Sequence, residues 1–379
     1  MSDVLIGTTK GAFIATNTGA GWRISGPHCE GAPVNHVIGD PETGAIYAAG
    51  GGDWYGARVW ASTDGGENWS AVQLTTGEMD KWAANDPDFA QMIGWTDQPR
   101  PFGEDFSQIW SLALVNSTLF AGTKPANLLE SRDGGMTWDK VNGLTDHPSR
   151  PEWNGGAAGL VLHTIVKDPG IPKNMWVGIS AAGVFATEDG GVTWERRNRM
   201  SNADAHAHHD HPAAPQGGET GHCVHNIVRA SDGRLYQQNH HGVFRSRDNG
   251  LNWDDITEGL PSTFGFPIAV HPDDPDMIFT VPLNGDQQGR FPPNAACAVW
   301  RSTDAGESWQ AMRKGLPQGY CFFTVLRQAM AMDRSGLYFG TNSGSVFATR
   351  DNGESFDEIV RHLPTILSVE LLQPPGVAA

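Results

Sequence analysis

Three histidines recur in one local pattern, a histidine followed two residues later by isoleucine. They are widely separated along the chain, at His36, His163 and His225. Imidazole nitrogens are common ligands of transition metals, and three converging rings would leave coordination positions open for water or substrate. We therefore predict a site for a divalent metal, namely zinc, iron, manganese or nickel. The alternatives are acid/base catalysis by a histidine and a structural role in which the rings hydrogen-bond water.

Further histidines lie close to His225 in the sequence. His222 precedes it by three residues, and His240 and His241 form the next predicted turn. The stretch 204–211 contains four histidines between acidic residues, a composition that can bind metal or can simply be solvated. We add three residues to the candidate metal ligands: His222, His240 and His241.

A pair of carboxylates is an alternative chemistry, because glycoside hydrolysis uses two Asp or Glu side chains flanking the scissile bond. Each candidate could equally be a solvated surface group. The candidates are Glu30, Asp53, Asp80, Glu104, Asp105, Glu152, Glu219 and Asp286. From these and from the arginines that could bind a polar substrate, we select as candidate catalytic residues Arg150, Glu152, Asp286, Arg290 and Arg327.

An eight-residue motif must position these side chains. It reads Ser/Thr-x-Asp-x-Gly-x-x-Trp/Phe, and an eroded copy at 15–22 precedes six intact ones. A spacing of roughly 50 residues is typical of a repeat architecture. The intact copies begin at Ser62, Ser131, Thr187, Ser246, Ser302 and Thr349.

Each motif predicts a hairpin turn, because its Asp can accept hydrogen bonds from backbone N–H groups and its Gly supplies an unusual conformation. Two short strands with alternating apolar residues precede it. A further, inner strand precedes each pair. The predicted inner strands are 34–39, 108–115, 160–167, 223–229, 266–271, 322–332 and 365–372.

The last inner strand has no strand pair after it, and the first pair lacks an inner strand. The simplest solution places 365–372 in the N-terminal blade. We therefore predict an all-β fold, a seven-bladed β-propeller of four-stranded blades, as a single domain over residues 1–379. Equivalent inner-strand positions would face the axis, although a slip of one residue turns a side chain away.

The motif and its frame resemble the Asp-box, or bacterial neuraminidase repeat, proteins. This superfamily includes sialidases, some xyloglucanases, sortilin-type receptors and a photosystem assembly factor. The resemblance covers essentially the whole chain and implies a propeller, but the boxes lie away from the axis and say little about activity. Sialidases carry a Phe-Arg-Ile-Pro motif, and the nearest string here, at 22–25, is Trp-Arg-Ile-Ser. Sialidase activity is therefore not expected.

Four long connections interrupt the repeat, at 75–106, 145–159, 198–221 and 283–296. They should open on one face, and they carry aromatic, arginine and carboxylate residues. We predict that they wall a pocket for a small-molecule or carbohydrate-like substrate. The alternative is that these connections form a lid over the axial channel or support a dimer. A short helix is expected around 86–93.

The formal net charge of −17 disfavours nucleic acid and anionic membranes as partners. Four cysteines without a paired spacing predict reduced thiols, and we expect a cytoplasmic protein. The favoured function is a hydrolase or lyase that uses the inner-strand histidines. A non-catalytic interaction or assembly propeller is the first alternative, and a glycoside hydrolase with a carboxylate pair is the second.

Overall fold

The strands form a ring of blades around one axis. The computed structural model describes residues 2–201 and 218–372, and within these residues there are seven four-stranded antiparallel sheets. The innermost strands contact one another in cyclic order, so the ring is closed. The predicted seven-bladed propeller is confirmed. None of the helices among the described residues is long and apolar enough to span a membrane.

The first four blades follow the chain from its N-terminal end. Blade 1 contains β1 (Asp3–Thr8), β2 (Gly11–Asn17) and β3 (Trp22–His28). Blade 2 contains β4 (Val34–Gly39), β5 (Ile46–Gly50), β6 (Arg58–Ser62) and β7 (Ser70–Gln73). Blade 3 contains β8 (Gln108–Val115), β9 (Thr118–Lys124), β10 (Leu128–Ser131) and β11 (Asp139–Lys140). Blade 4 contains β12 (Val161–Lys167), β13 (Met175–Ser180), β14 (Gly183–Thr187) and β15 (Glu195–Arg196).

The remaining blades complete the ring and return to its start. Blade 5 contains β16 (Val224–Arg229), β17 (Leu235–Asn239), β18 (Gly242–Ser246) and β19 (Asp254–Asp255). Blade 6 contains β20 (Gly265–Val270), β21 (Ile278–Pro282), β22 (Val299–Ser302) and β23 (Gln310–Met312). Blade 7 contains β24 (Met330–Asp333), β25 (Gly336–Gly340), β26 (Val346–Thr349) and β27 (Asp357–Val360). The last strand, β28 (Ile366–Leu372), is the innermost strand of blade 1.

The repeated motif folds as the predicted hairpin between the third and fourth strands of a blade. In the copy that begins at Ser131, the hydroxyl accepts a hydrogen bond from the Gly135 N–H at 2.9 Å. Asp133 accepts one from the Thr137 N–H at 2.9 Å, and the Trp138 indole donates to the Gly135 carbonyl at 2.9 Å. Hydrogen bonds from the hydroxyl and N–H of Thr137 lower the pKa of Asp133 to about 2.

Blade 1 closes the ring by pairing the two ends of the described chain. β28 runs antiparallel to β1, with Asp3 opposite Leu372 and Ile6 opposite Val369. Val369 is fully buried, as is Ile366 at the start of the strand. The predicted closure by a C-terminal strand is confirmed, with the strand beginning one residue later than expected.

The inner strand of blade 7 is much shorter than the predicted 322–332. Residues 321–327 form no strand because their polar groups bond to loops. The Thr324 N–H donates to the Asn342 side chain at 2.8 Å, and its hydroxyl donates to the Arg290 carbonyl at 2.6 Å. The start of this segment therefore joins the Arg290 loop and leaves the sheet.

The first long connection contains two short helices, α1 (Glu78–Asn85) and α2 (Pro87–Met92). Only α2 was predicted, and the Asp86 carboxylate caps it by accepting from the Phe89 N–H at 3.0 Å. The start of α1 is held by Asp80, which accepts from Arg100 at 2.8 Å and from the Trp95 indole at 3.0 Å. Burial opposes ionisation of Asp80, but these bonds outweigh it and lower its pKa. Asp80 is therefore a structural anchor.

We predict that removing one buried side chain from the closing strand β28 destabilises the protein. Replacing buried Ile366 with alanine should lower the free energy of unfolding by about 2–5 kcal/mol, because it leaves a cavity beside β25. Urea unfolding measures the change. The control is Ile24→Ala in β3 of the same blade, where the side chain is 38% exposed, with an expected change within about 0.5 kcal/mol. Equal losses in the two variants would contradict a specific role of β28 in closure.

Candidate functional site

A bulge near the start of an inner strand decides which side chains face the axis, and six of the seven inner strands show such a register shift. In β4, β8, β12 and β16 the register with the second strand skips one residue. The skipped residues are Asn35, Trp110, His163 and His225. His36 lies one position further along and pairs with Ala49. The prediction that the three histidines occupy equivalent positions is therefore wrong for His36. His163 and His225 lie at the bulge, whereas His36 lies one residue after it.

The shift removes His36 from the other histidines. Its Nδ1 accepts a hydrogen bond from the Leu112 N–H at 2.8 Å, and its Nε2 lies 3.2 Å from the Glu370 carboxylate of β28. It lines a wide cavity of about 910 Å³ that extends to the last residues of the inner strands, among them Lys167 and Arg229. His36 thus joins blades 1, 2 and 3 at a second cavity.

A smaller chamber lies at the opposite end of the axis, where the inner strands begin. Its volume is about 300 Å³. Residues of the loop 154–158 and of the β13–β14 turn line it. Of the four long connections predicted to share a face, 145–159 and 283–296 contribute residues to this chamber. The side chains that line the chamber are His222, Cys223, His225, His240, Phe264, Phe266, Arg290 and Arg327.

Cross-axis hydrogen bonds separate the two cavities. The Gln328 amide donates to the His163 carbonyl at 2.7 Å, and the Asn226 amide donates to the Arg327 carbonyl at 2.8 Å. Asn226 and Gln328 line the wide cavity, whereas their chain neighbours His225 and Arg327 line the chamber. In both chain segments, two consecutive residues therefore face different cavities.

His225 is the most firmly held histidine of the chamber. It is 1% exposed, and its Nδ1 lies 2.6 Å from the Gly265 carbonyl oxygen. Because a carbonyl only accepts, Nδ1 carries the hydrogen and Nε2 keeps its lone pair. That Nε2 lies 3.6 Å from Cys223 Sγ. Burial, followed by the charge of Arg327, holds the pKa of His225 well below 6.5, so the ring is neutral.

His163 lies behind the chamber wall. It is fully buried, and neither ring nitrogen has a hydrogen-bond partner among the described residues. Its ring packs against Trp110 at 5.8 Å between centroids. Burial and the nearby Arg327 charge hold its pKa well below the usual 6.5. His163 thus packs as an uncharged aromatic ring.

Two arginines and two phenylalanines line the chamber beside the histidines, with Phe266 4.7 Å from His225 and Phe264 4.9 Å from His240 between ring centroids. The Arg327 guanidinium lies 4.4 Å from the centroid of the Phe266 ring. Arg290 lies 5.9 Å from both Phe264 and Phe266. These cation–π contacts fix the direction of the charges. The chamber consequently combines positive charge, neutral imidazole and apolar rings, and no carboxylate lines it among the side chains that the structure describes.

Two carboxylates, Glu152 and Glu219, lie at the rim of the chamber, which is defined here by the lining residue His222 and its neighbours. Arg196 contacts the His222 ring at 2.8 Å and the Glu152 carboxylate at 3.2 Å. His222 in turn lies 2.9 Å from Glu219, and its pKa is lowered, chiefly by burial. Two of the predicted carboxylate candidates therefore meet around one arginine–histidine pair.

Among the described side chains, the candidates Arg150 and His241 do not line the chamber. Arg150 stacks on Trp153 at 4.8 Å and reaches Asn127 at 3.4 Å. His241 is buried beside His240, with 4.7 Å between ring centroids, and does not line the chamber. Asp286 begins a short 3₁₀ helix in the β21–β22 loop, and its side chain is outside the described set. The histidine-rich stretch 204–211 also lies outside the described residues.

The remaining carboxylate candidates have other neighbours. Three form ion pairs with basic residues away from the chamber: Glu30 with Arg58, Glu104 with Lys81, and Asp105 with Lys140. The carbonyl of Asp53 accepts from the Glu78 N–H at 2.8 Å. None of these residues lines either cavity, so their loop positions alone were a poor guide to the site.

Cys223, like Phe264 and Phe266, lines the chamber without having been predicted. It is 6% exposed, immediately precedes β16, and lies 2.9 Å from the Ser180 hydroxyl. All four cysteines are free thiols, as predicted. Burial raises the pKa of Cys29 and Cys297 far above the usual range, which makes those two thiols inert. The position of Cys223 two residues before His225 was the available signal.

Comparison with known proteins places xyloglucanases among the relatives. No family model matches the chain. An oligoxyloglucan-reducing end-specific xyloglucanase of Emericella nidulans is 26% identical over 219 residues, which is 51% of this chain and 25% of the relative. A xyloglucanase of Acetivibrio thermocellus is 27% identical over 314 residues, 73% of this chain and 32% of the relative. The chain therefore spans only a quarter to a third of these relatives.

Solved structures share the fold at low identity. The GH74 xyloglucanase from Xanthomonas campestris has a TM-score of 0.61 at 16% identity, covering 94% of this chain and 52% of that chain. The structure of YCF48 bound to D1 peptide has a TM-score of 0.53 at 13% identity, covering 94% of this chain and 84% of that chain. Both support the propeller and, at these identities, only the propeller.

We predict that buried His163 makes the protein less stable below pH 6.5. Its folded-state pKa lies below the unfolded value of about 6.5, so the unfolded chain binds a proton that the folded chain excludes. The stabilisation is complete above that pH and is lost as the pH falls towards the folded value. His163→Phe should reduce the slope of unfolding free energy between pH 6.5 and 5 by up to about 1.4 kcal/mol per pH unit. Denaturant titrations across this range measure it, and identical slopes would contradict a neutral His163.

Proposed function

We propose that the protein is a hydrolase that acts on a carbohydrate-like substrate at the chamber. One observation carries the proposal: side chains from blades 5, 6 and 7 converge on one chamber in a chain similar to xyloglucanases over half of its length or more. The chamber is of the size and mixed polarity that suit a small ligand. Membership of the Asp-box superfamily, a single domain over 1–379 and a cytoplasmic location belong to the same proposal.

The carboxylates at the rim supply a reaction for this site. Glycoside hydrolysis needs one carboxyl group to protonate the leaving oxygen and another to act as base or nucleophile. Arg196 holds Glu152 and, through His222, lies next to Glu219. In the proposal, Glu152, which is paired with Arg196, acts as base or nucleophile. Glu219, which lies 2.9 Å from His222, delivers the proton.

Exposed aromatic side chains extend the site beyond the chamber. Phe322 is 65% exposed, and its ring lies 5.1 Å from Phe291, the neighbour of the chamber residue Arg290. Tyr320 is 92% exposed and has a φ of 57°, a backbone conformation that non-glycine residues rarely adopt. Such rings offer flat apolar faces to the rings of sugars. We therefore assign Tyr320 and Phe322 to the binding of a substrate longer than the chamber.

We expect Glu152→Gln and Glu219→Gln each to lower kcat by about 10²–10⁴, because each removes a proton-transfer or nucleophilic group. The measurement is release of reducing sugar from xyloglucan oligosaccharides and of aryl alcohol from aryl glycosides. Arg197 offers a matched control, since it binds Glu188 at 2.8 Å and Glu195 at 2.9 Å in the same blade. Glu188→Gln and Glu195→Gln should retain full activity. Full activity of both rim variants, or an equal loss in the controls, would overturn the assignment.

We expect Tyr320→Ala and Phe322→Ala to raise KM for an oligosaccharide by about 2- to 12-fold, the equivalent of a lost aromatic contact of about 0.5–1.5 kcal/mol. Hydrolysis of a small aryl glycoside should be unchanged, because that substrate fits within the chamber. Leu251→Ala serves as control, since this side chain is 45% exposed on a motif hairpin of blade 5. A KM that rises equally for the two substrates would show a general effect on folding and not an extended binding surface.

A further inference from the structure

Three donor atoms in the chamber have the spacing of a metal site. Sγ of Cys223 and one ring nitrogen each of His225 and His240 all lie within 4.8 Å of one another. We propose that these three residues bind a zinc-type divalent ion. This set differs from the predicted one, because it includes a thiol and excludes His36, His163, His222 and His241.

The distance between sulfur and nitrogen fits tetrahedral coordination. Zinc binds Cys sulfur at about 2.3 Å and His nitrogen at about 2.0–2.1 Å, so two such ligands in a tetrahedron are about 3.6 Å apart. Cys223 Sγ and His225 Nε2 are 3.6 Å apart. Neither side chain has to move to share one ion.

The hydrogen bond on the far side of His225 presents the correct nitrogen to the ion. Its Nδ1 donates to the Gly265 carbonyl at 2.6 Å, which leaves the Nε2 lone pair facing the sulfur. Metal-binding histidines generally have such a partner, because it fixes both the tautomer and the ring orientation. The Ser180 hydroxyl lies 2.9 Å from the sulfur of Cys223. When that sulfur is a thiolate, the hydroxyl can donate a hydrogen bond to it.

The ligand types select the metal. One thiolate and two imidazoles favour zinc and similar borderline-soft ions over magnesium or calcium, which prefer oxygen. Binding displaces the thiol proton of Cys223 to solvent, and no electron is transferred. The ion, one thiolate and two neutral imidazoles leave a net charge of +1, which a bound hydroxide neutralises.

Three protein ligands would leave a fourth position open, and all three residues line the chamber of about 300 Å³. Sites with three ligands and an open position are typical of catalytic zinc, where the ion lowers the pKa of bound water. The inference concerns the chamber of the proposed hydrolase, but it depends on donor geometry and not on any substrate. An experiment can therefore find metal binding without hydrolysis, or hydrolysis without metal binding.

The test uses full-length protein without a histidine tag, stripped with EDTA and titrated with Zn²⁺ against a chromogenic chelator. We expect a single tight equivalent, and with Co²⁺ the near-ultraviolet absorption of a thiolate–cobalt bond. Cys223→Ser and His240→Gln should weaken binding at least about 10²-fold, and Cys223→Ser should abolish the cobalt band. Circular dichroism checks that each variant is folded.

The controls separate this site from other histidines and thiols. Cys29→Ser, His36→Gln and His241→Gln should bind metal as the wild type does, and so should a variant with the four histidines of 204–211 replaced by glutamine. Zn²⁺ should raise the Tm of the wild type but not that of Cys223→Ser. Undiminished binding in Cys223→Ser, or loss of binding only in the 204–211 variant, overturns the proposal. Because no substrate is used, an inactive protein can still confirm the site, and an active protein that binds no metal refutes it.

Discussion

The antiparallel pairing of β28 with β1 is the contact on which the rest of the architecture depends. Without it, blade 1 lacks its inner strand, and the ring has two exposed sheet edges between blades 7 and 2. With it, the beginnings of the inner strands are held around one axis. Side chains distant in sequence, such as Cys223, Phe264 and Arg327, then face one chamber because the ring fixes their distance. The chemistry of the chamber is thus a consequence of closure.

Within the closed ring, the bulge at the start of the inner strands determines the chemistry of each position. A regular strand alternates its side chains between two faces, whereas an inserted residue resets the alternation. The bulge assigns His225 to the chamber and the next residue, Asn226, to the wide cavity. The same device places Asn35 and not His36 at the equivalent point of blade 2. Local backbone geometry therefore decides which of two neighbouring polar residues is available to a ligand.

The repeat made the fold predictable, while the site was predictable only in part. Seven motif copies specify the number of blades and the strand that returns to close the ring, because each hairpin depends on hydrogen bonds local to its own residues. The position of a bulge has no such local signature, so the equivalence of His36 with His163 and His225 could not be tested from the sequence. Cys223 was overlooked although it lies two residues before His225, because an isolated Cys-x-His pair does not show that the two side chains share a cavity. The carboxylate candidates lacked any signal of proximity; among the described side chains, Glu152 and Glu219 are the two that share the Arg196–His222 pair.

The two cavities share the same pair of chain segments. His225 and Arg327 line the chamber. Asn226 and Gln328 line the wide cavity, and their side chains form hydrogen bonds across the axis. Each of these two chain segments therefore supplies one side chain to each cavity. A substitution or a ligand that shifts one segment would act on both cavities, and thermodynamic linkage would make any such coupling reciprocal.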